Sequence, residues 1–205
     1  MKLDRFYPIV DSSAWLDRVL PLGVKLVQLR VKNRSVEAVR EEVRRTKKRC
    51  LEHRCVLVVN DYWQIAIDEG CDFVHLGQSD LDDADLPAIR RAGIHVGIST
   101  HDDAELERAL QLDPAYVALG PIYPTRLKEM PWAPQGLERV AEWKRRIGAL
   151  PLVAIGGLTV ERASQVIAAG ADVLSVVTDV LLHPSPESRT CEWIREVNES
   201  RPTTT

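Results

Sequence analysis

The chain has 205 residues, which is the size of one folded domain. Its formal net charge is −3 and its pI is near 6.0. This slight acidity excludes the broad basic surface of a nucleic-acid-binding domain. The N-terminus has no long apolar core of a secretory signal, and no stretch reaches the ~18 apolar residues of a membrane span. We therefore expect a soluble, cytoplasmic protein with one domain over 1–198 and a disordered tail over 199–205.

The cysteines show no Cys-x-x-Cys pair and no metal-ligand spacing. We expect free thiols in a reducing compartment. The four residues are Cys50, Cys55, Cys71 and Cys191.

Short apolar runs alternate with amphipathic, charged segments along the whole chain. This alternation is typical of repeated βα units around a parallel sheet. Helices are expected between the strands, for example at 35–52, 101–111 and 159–169. Eight units predict the α/β class and a single (β/α)8 TIM barrel. The predicted strands are 6–10, 24–30, 56–60, 73–76, 94–99, 115–119, 151–155 and 172–177.

The even-numbered strands resemble one another, as the segments GVKLVQLR, CDFVHLG, PAYVALG and ADVLSVV show. Alternate strands of a barrel fill the same interior layer, which gives this similarity a physical reason. The alignment predicts that Arg30, Gly77, Gly120 and Val177 occupy equivalent positions at the strand ends.

The segment ALGPIYPTRLKEMPWAPQGL, residues 118–137, interrupts this regular pattern. About fifteen residues separate the sixth strand from the next helix, a length that usually marks a functional or disordered loop. Thr125, Arg126 and Lys128 supply a hydroxyl group and two cations, which indicates a loop that binds an anion. Four prolines restrict the backbone before folding: Pro121, Pro124, Pro131 and Pro134.

Polar or glycine residues follow seven consecutive predicted strands. Active sites of such barrels lie at the carboxyl ends of the strands, so these residues are expected to share one pocket mouth. Along the chain they are Gln28, Arg30, Lys32, Asn60, Asp61, Gln78, Asp80, Ser99, Thr125, Lys128, Gly156, Gly157 and Thr178.

Asp61 and Asp80 follow neighbouring strands, and paired carboxylates without cysteine or clustered histidine favour Mg²⁺. A turn or helix-capping role is the alternative for Asp80. A rim salt bridge is the alternative for the cations that follow the second strand. His75 points the same way as Gly77 and is interpreted as an interior histidine with hydrogen-bond partners rather than as a catalyst.

Two glycines in AIGGLTVERA stand between the seventh strand and a helix, and Thr178 in VVTDV begins the last helical segment. This arrangement is typical of the phosphate site that barrels build after strands seven and eight. Ordinary turn geometry is the alternative. The two sides of the mouth together predict two phosphorylated substrates, one of them a diphosphate.

The chain resembles thiamine phosphate synthase over nearly its whole length. The resemblance implies a (β/α)8 transferase that joins hydroxymethylpyrimidine diphosphate to hydroxyethylthiazole phosphate with Mg²⁺, releasing diphosphate. The segments that carry it are VQLRVK (27–32), VNDYW (59–63), HLGQSD (75–80), GISTHD (97–102), ALGPIYPT (118–125), PQGL (134–137), AIGGLT (154–159) and VVTDV.

The resemblance also implies roles for individual residues. Asp61 and Asp80 would hold Mg²⁺, and Ser99 would hydrogen-bond near the breaking C–O bond. Arg30, Ser99 and Lys128 would be the catalytic residues. The diphosphate would be bound by Gln28, Arg30, Lys32, Asn60 and Lys128, and the thiazole phosphate by Thr125, Gly157, Val177 and Thr178.

Three positions depart from the family pattern, and one of them, Thr178 in place of the usual serine, keeps a hydroxyl group. Leu127 stands where a threonine hydroxyl is usual, and Asp179 stands where a small residue is usual. A carboxylate beside a phosphate site is unfavourable if it faces inward. A missing hydroxyl and an inward carboxylate would both lower the affinity for thiazole phosphate.

Three other functions stay open at this point. They are a Schiff-base aldolase or isomerase using Lys128, a related thiazole-isomerising barrel, and a non-catalytic sensor of thiamine intermediates. The acidic pair Asp61 and Asp80 has no purpose in the isomerising barrel and argues against the sensor. The oligomeric state is not predicted.

Overall fold

The computed structural model describes residues 3–125 and 132–200. Eight strands close into a barrel in sequence order, and the first strand pairs with the eighth in parallel. The predicted (β/α)8 barrel is confirmed, and each strand agrees with its predicted range within two residues at either end. The strands are β1 Phe6–Val10, β2 Leu26–Leu29, β3 Val56–Asn60, β4 Phe73–Leu76, β5 His95–Thr100, β6 Tyr116–Leu119, β7 Leu152–Ile155 and β8 Val173–Val176.

Helices cover the outside of the barrel. Capping side chains begin several of them: the Ser35 side chain, for example, accepts a hydrogen bond of 3.2 Å from the N–H of Ala38 in the first turn of the helix Val36–His53. The helices are α1 Leu16–Val19, α2 Val36–His53, α3 Trp63–Asp68, α4 Asp80–Asp83, α5 Leu86–Arg91, α6 Asp103–Gln111, α7 Gly136–Ile147, α8 Val160–Ala168, α9 Thr178–Leu181 and α10 Pro186–Glu199.

Two apolar cores divide the buried side chains. The larger one lies between the strands and the helices and includes the fully buried Trp143 and Trp193. The smaller one fills the barrel interior, where Leu26, Phe73, Tyr116 and Val173 come from the even strands. Arg30, Gly77, Gly120 and Val177 directly follow these strands, which confirms their predicted equivalence.

Two expectations about the chain as a whole can be compared with the described residues. Within them, no helix is both long enough and apolar enough to cross a membrane. All four cysteines are free thiols, and three of them are buried. Lys128 and Leu127 lie outside the described ranges, as do residues 201–205.

Candidate active site

Asp61 stands directly after β3 in the left-handed backbone region, with φ of 64°. Aspartate adopts this conformation more readily than most residues. The Asp61 N–H donates to the backbone carbonyl of His75 at 2.9 Å, and its carboxylate accepts a short hydrogen bond from Lys32 Nζ. The turn therefore directs the carboxylate toward a cation from the neighbouring β2 end.

Asp80 begins α4 and lies beside Asp61. Its Oδ2 accepts a 3.0 Å hydrogen bond from the N–H of Gly77, and a Cβ on Gly77 would approach that oxygen to 2.9 Å. Burial, and next the negative charge of Asp61, raise the pKa of the Asp80 carboxyl. Asp80 thus stabilises the turn through Gly77, which was the alternative role, and it also lies next to the Asp61 carboxylate.

The acidic pair offers carboxylate oxygens, the ligand type that Mg²⁺ prefers. Among residues 3–125 and 132–200 there is no group of three or more histidine, cysteine, aspartate or glutamate side chains that could hold a metal. Mg²⁺ commonly uses one or two carboxylates and takes its other ligands from water and phosphate oxygens. Asp61 and Asp80 have the ligand chemistry and the proximity for this kind of binding.

Polar side chains also form the floor of the mouth. Gln28 and Asn60 are buried, at 3% and 5% exposure. Gln28 Nε2 donates to Tyr7 Oη at 2.9 Å, whereas Arg30, two residues later, is exposed. Gln28 therefore lies deeper in the barrel than Arg30 and Lys32, which stand at the rim.

Ser99 lies near the end of β5, above this floor. Its hydroxyl is 2.8 Å from His75 Nε2, and its carbonyl accepts a 2.7 Å hydrogen bond from Gln78 Nε2. His75 Nδ1 is 2.9 Å from Tyr116 Oη, so both ring nitrogens have partners, as predicted for an interior histidine. Burial lowers the pKa of His75 to about 4, although the charge of Asp61 acts in the opposite direction.

The two glycines after β7 permit close contact with the proline-rich loop. Gly156 and Gly157 have φ of 96° and 66°. The Gly156 carbonyl accepts a 3.0 Å hydrogen bond from the N–H of Tyr123, and a Cβ on Gly157 would come within 2.6 Å of the Pro124 carbonyl oxygen. The turn thus holds the start of the loop, up to the residue before Thr125.

Val177 and Thr178 lie beside this turn. Ile155 pairs with Ser175, so Gly157 and Val177 each follow a paired residue by two positions. Thr178 begins α9. In an eight-stranded ring β7 lies opposite β3, which sets this group across the mouth from the acidic pair.

Asp179 does not add an uncompensated charge to this side of the mouth. Its carboxylate accepts hydrogen bonds from Arg189 Nε at 2.8 Å and Nη2 at 3.0 Å, and a third from Trp193 Nε1 at 2.8 Å. Arg189 also binds Glu161 of α8. The negative charge of Asp179, which is unfavourable beside a phosphate site, is thus paired with a guanidinium group on α10.

Sequence reasoning missed several residues around the site. Tyr7 and Tyr116 lie in strands that the sequence predicts as apolar, yet their hydroxyl groups are 3.1 Å apart inside the barrel. Strand alternation was the available signal, because it points both rings inward. Arg189 gave no such signal, since a charged helical residue is usually a solvated one.

A closed parallel barrel that gathers an acidic pair, cations and a glycine turn at its carboxyl mouth defines an enzyme of the TIM-barrel class. The thiamine monophosphate synthase family matches residues 6–180. The chain therefore belongs to the thiamine monophosphate synthase family, and it is a transferase of thiamine biosynthesis.

Known relatives agree with this assignment. The chain is 61% identical over 194 residues to a thiamine-phosphate synthase of Rhizobium etli, covering 95% of each chain. It is 46% identical over 174 residues to that of Klebsiella pneumoniae, covering 85% of this chain and 82% of the other. A thiamine phosphate pyrophosphorylase structure from Pyrococcus furiosus matches with a TM-score of 0.86 over 97% of both chains; at 24% identity this likeness supports the fold.

Proposed function

We propose that the protein condenses hydroxymethylpyrimidine diphosphate with hydroxyethylthiazole phosphate, forming thiamine phosphate and diphosphate. The observation that carries this proposal is that the barrel mouth places a carboxylate pair with a lysine on one side and a glycine turn on the opposite side. Asp61, Asp80 and Lys32 lie at β2 to β4, and the Gly157 turn lies at β7. The relatives named thiamine-phosphate synthase favour the same reaction.

The acidic side would bind the diphosphate of the pyrimidine substrate. Asp61 and Asp80 would hold Mg²⁺, which supplies neutralisation of the charge that develops on the leaving diphosphate. Lys32 would exchange its contact with Asp61 for the diphosphate oxygens. The exposed Arg30 and Lys128, which lies outside the described ranges, would add two further cations.

Ser99 would act at the reacting bond. The C–O bond breaks with its electron pair staying on the diphosphate oxygen, and the aminopyrimidine ring stabilises the carbon cation that remains. The thiazole nitrogen then donates its lone pair to that carbon, so the protein needs no general base. The Ser99 hydroxyl, partly exposed above a buried floor, is suited to donate a hydrogen bond to the leaving oxygen.

The opposite side would bind the thiazole phosphate. Gly157, Val177 and Thr178 would surround it with backbone N–H groups and a hydroxyl, and Thr125 would approach from the loop. Because Arg189 engages Asp179, the departure from the family pattern at this position adds no uncompensated negative charge.

A product assay tests the proposal. The protein is incubated with both phosphorylated substrates and Mg²⁺, and thiamine phosphate is measured by oxidation to its fluorescent thiochrome derivative. We expect product when both substrates are present and none when either is omitted. Borohydride trapping of a covalent substrate adduct on Lys128, without thiamine phosphate, would support the Schiff-base alternative and overturn the proposal.

A further inference from the structure

Five side chains inside the barrel form a continuous chain of hydrogen bonds from β2 to β5. Gln28 Nε2 donates to Tyr7 Oη at 2.9 Å, and Tyr7 Oη is 3.1 Å from Tyr116 Oη. Tyr116 Oη is 2.9 Å from His75 Nδ1, and His75 Nε2 is 2.8 Å from Ser99 Oγ. These hydrogen bonds join the buried Gln28 amide to the hydroxyl group of Ser99.

The Gln28 donor sets the direction of every later bond. Tyr7 has one proton, and because it accepts from Gln28 its own O–H is left to donate to Tyr116. Tyr116 then donates to His75 Nδ1. A neutral imidazole with an accepting Nδ1 carries its proton on Nε2, so His75 donates to Ser99 Oγ.

The surroundings keep this arrangement in place. Tyr7, Gln28, His75 and Tyr116 are all buried, where a reversed bond would leave a donor without a partner. The His75 and Tyr116 rings are stacked, with centroids 5.7 Å apart. A Cβ at Gly97 would overlap the Tyr116 ring, so the glycine makes room for this side chain.

We propose that Gln28, Tyr7, Tyr116 and His75 are positioning residues that hold Ser99 Oγ as an acceptor from His75 and leave its O–H free to donate into the pocket. This inference rests on the proposed function, in which that proton points at the leaving diphosphate oxygen. A donor aimed at an oxygen that gains negative charge stabilises the transition state. In the reversed chain Ser99 would donate to His75 and lose this role.

The tautomer of His75 tests the direction without any turnover. We expect the ¹⁵N NMR spectrum of the labelled protein near neutral pH to show His75 Nδ1 unprotonated and Nε2 protonated, with the signals assigned by comparison with His75→Gln. Protonation on Nδ1 would overturn the proposal. If the wild-type protein makes no thiamine phosphate, the proposed function fails, but this experiment still decides the direction of the chain.

Kinetics test whether the chain acts through Ser99. Tyr116→Phe keeps the ring and removes the donor to His75, so we expect kcat to fall about tenfold, with the KM for both substrates unchanged. In the Ser99→Ala background the same substitution should cause no further loss. Tyr62→Phe removes a phenol hydroxyl that is not part of this series of hydrogen bonds. It serves as the control and should keep wild-type activity.

Two kinetic outcomes would contradict the proposal. Equal losses from Tyr116→Phe in the wild-type and Ser99→Ala backgrounds would mean that the Tyr116 hydroxyl acts independently of Ser99. A Tyr116→Phe protein with the wild-type melting temperature and undiminished kcat would mean that the donor to His75 is not needed. If Tyr116→Phe does not fold, the His75 tautomer in the wild-type protein remains decisive.

Discussion

Arg189 donates two hydrogen bonds to the Asp179 carboxylate, from Nε at 2.8 Å and from Nη2 at 3.0 Å. The two side chains are only 10% and 12% exposed, so the pair is largely removed from water. The contact joins α9, which begins with Thr178, to α10. The same guanidinium group reaches Glu161 on α8, so one arginine ties together the helices behind the proposed phosphate side.

Arg189→Ala should lower the free energy of unfolding by about 3 kcal/mol, because it leaves the buried Asp179 carboxylate without its cation, although the neutral Trp193 Nε1–H still donates to it. Urea denaturation measures the change. Arg195→Ala, on the exposed face of the same helix, should change stability by less than about 0.5 kcal/mol. Similar small effects for both variants would show that the buried pair does not stabilise this region.

The Glu161–Arg189 contact should make part of the stability pH-dependent. The Arg189 hydrogen bonds, followed by one from Thr159, lower the pKa of Glu161 to about 2 from its usual 4.5. The folded state thus holds this proton less tightly than the unfolded state, so the contribution is full above about pH 4.5 and is lost as the pH falls toward about 2. Since Glu161 is 68% exposed, we expect less than about 1 kcal/mol.

Urea denaturation at several pH values checks this. Glu161→Gln should be less stable than the wild-type protein near neutral pH, and the difference should shrink below about pH 4.5. Glu37→Gln changes an exposed glutamate in the first turn of another helix and is the matched control. A Glu161→Gln difference that stays constant down to about pH 2 would contradict the assigned ion pair.

Activity should require a divalent ion bound by Asp61 and Asp80, because two carboxylates and a diphosphate repel one another without one. Asp61→Asn should lose most of its activity while keeping its fold, measured by turnover at several Mg²⁺ concentrations and by circular dichroism. Asp83→Asn alters an exposed carboxylate in α4 and should stay active. Undiminished wild-type turnover in excess chelator would refute the metal requirement.

Arg30→Ala and Lys128→Ala should each weaken handling of the pyrimidine diphosphate by about 1.5–3 kcal/mol, the size of a hydrogen bond to a charged group. Steady-state kinetics should show the loss in kcat/KM for the pyrimidine substrate, with little change in KM for thiazole phosphate. Arg34→Ala, which removes an exposed cation from the same connection as Arg30, is the control. Equal losses for both substrates would indicate a collapsed loop instead.

The barrel could be predicted from sequence because its strands are short apolar runs separated by charged helices. The similarity of the even strands also predicted a shared interior layer, and side chains from these strands do meet inside the barrel. They are Leu26, Phe73, Tyr116 and Val173. Asp61 and Asp80 could be paired because neighbouring strands end side by side. These inferences needed only periodicity and strand order.

Other features depend on contacts between distant residues. Sequence shows a carboxylate at Asp179, but its pairing depends on Arg189 in the next helix. Gly97 looks like an ordinary strand residue, yet its missing side chain admits the Tyr116 ring from the neighbouring strand. The sequence places the Gln28 amide at the barrel mouth, but it does not show how deeply the amide is buried. That burial depends on the hydrogen bond from Gln28 to Tyr7, which is far away in sequence.

The most direct test of the proposed condensation is a ³¹P NMR time course with both substrates, Mg²⁺ and the wild-type protein. It follows the pyrimidine diphosphate, the thiazole phosphate and the products in one sample. We expect thiamine phosphate and free diphosphate to appear in equal amounts, at the rate at which both substrates disappear. Consumption of the pyrimidine diphosphate without loss of thiazole phosphate, or no change in either substrate, would contradict the account.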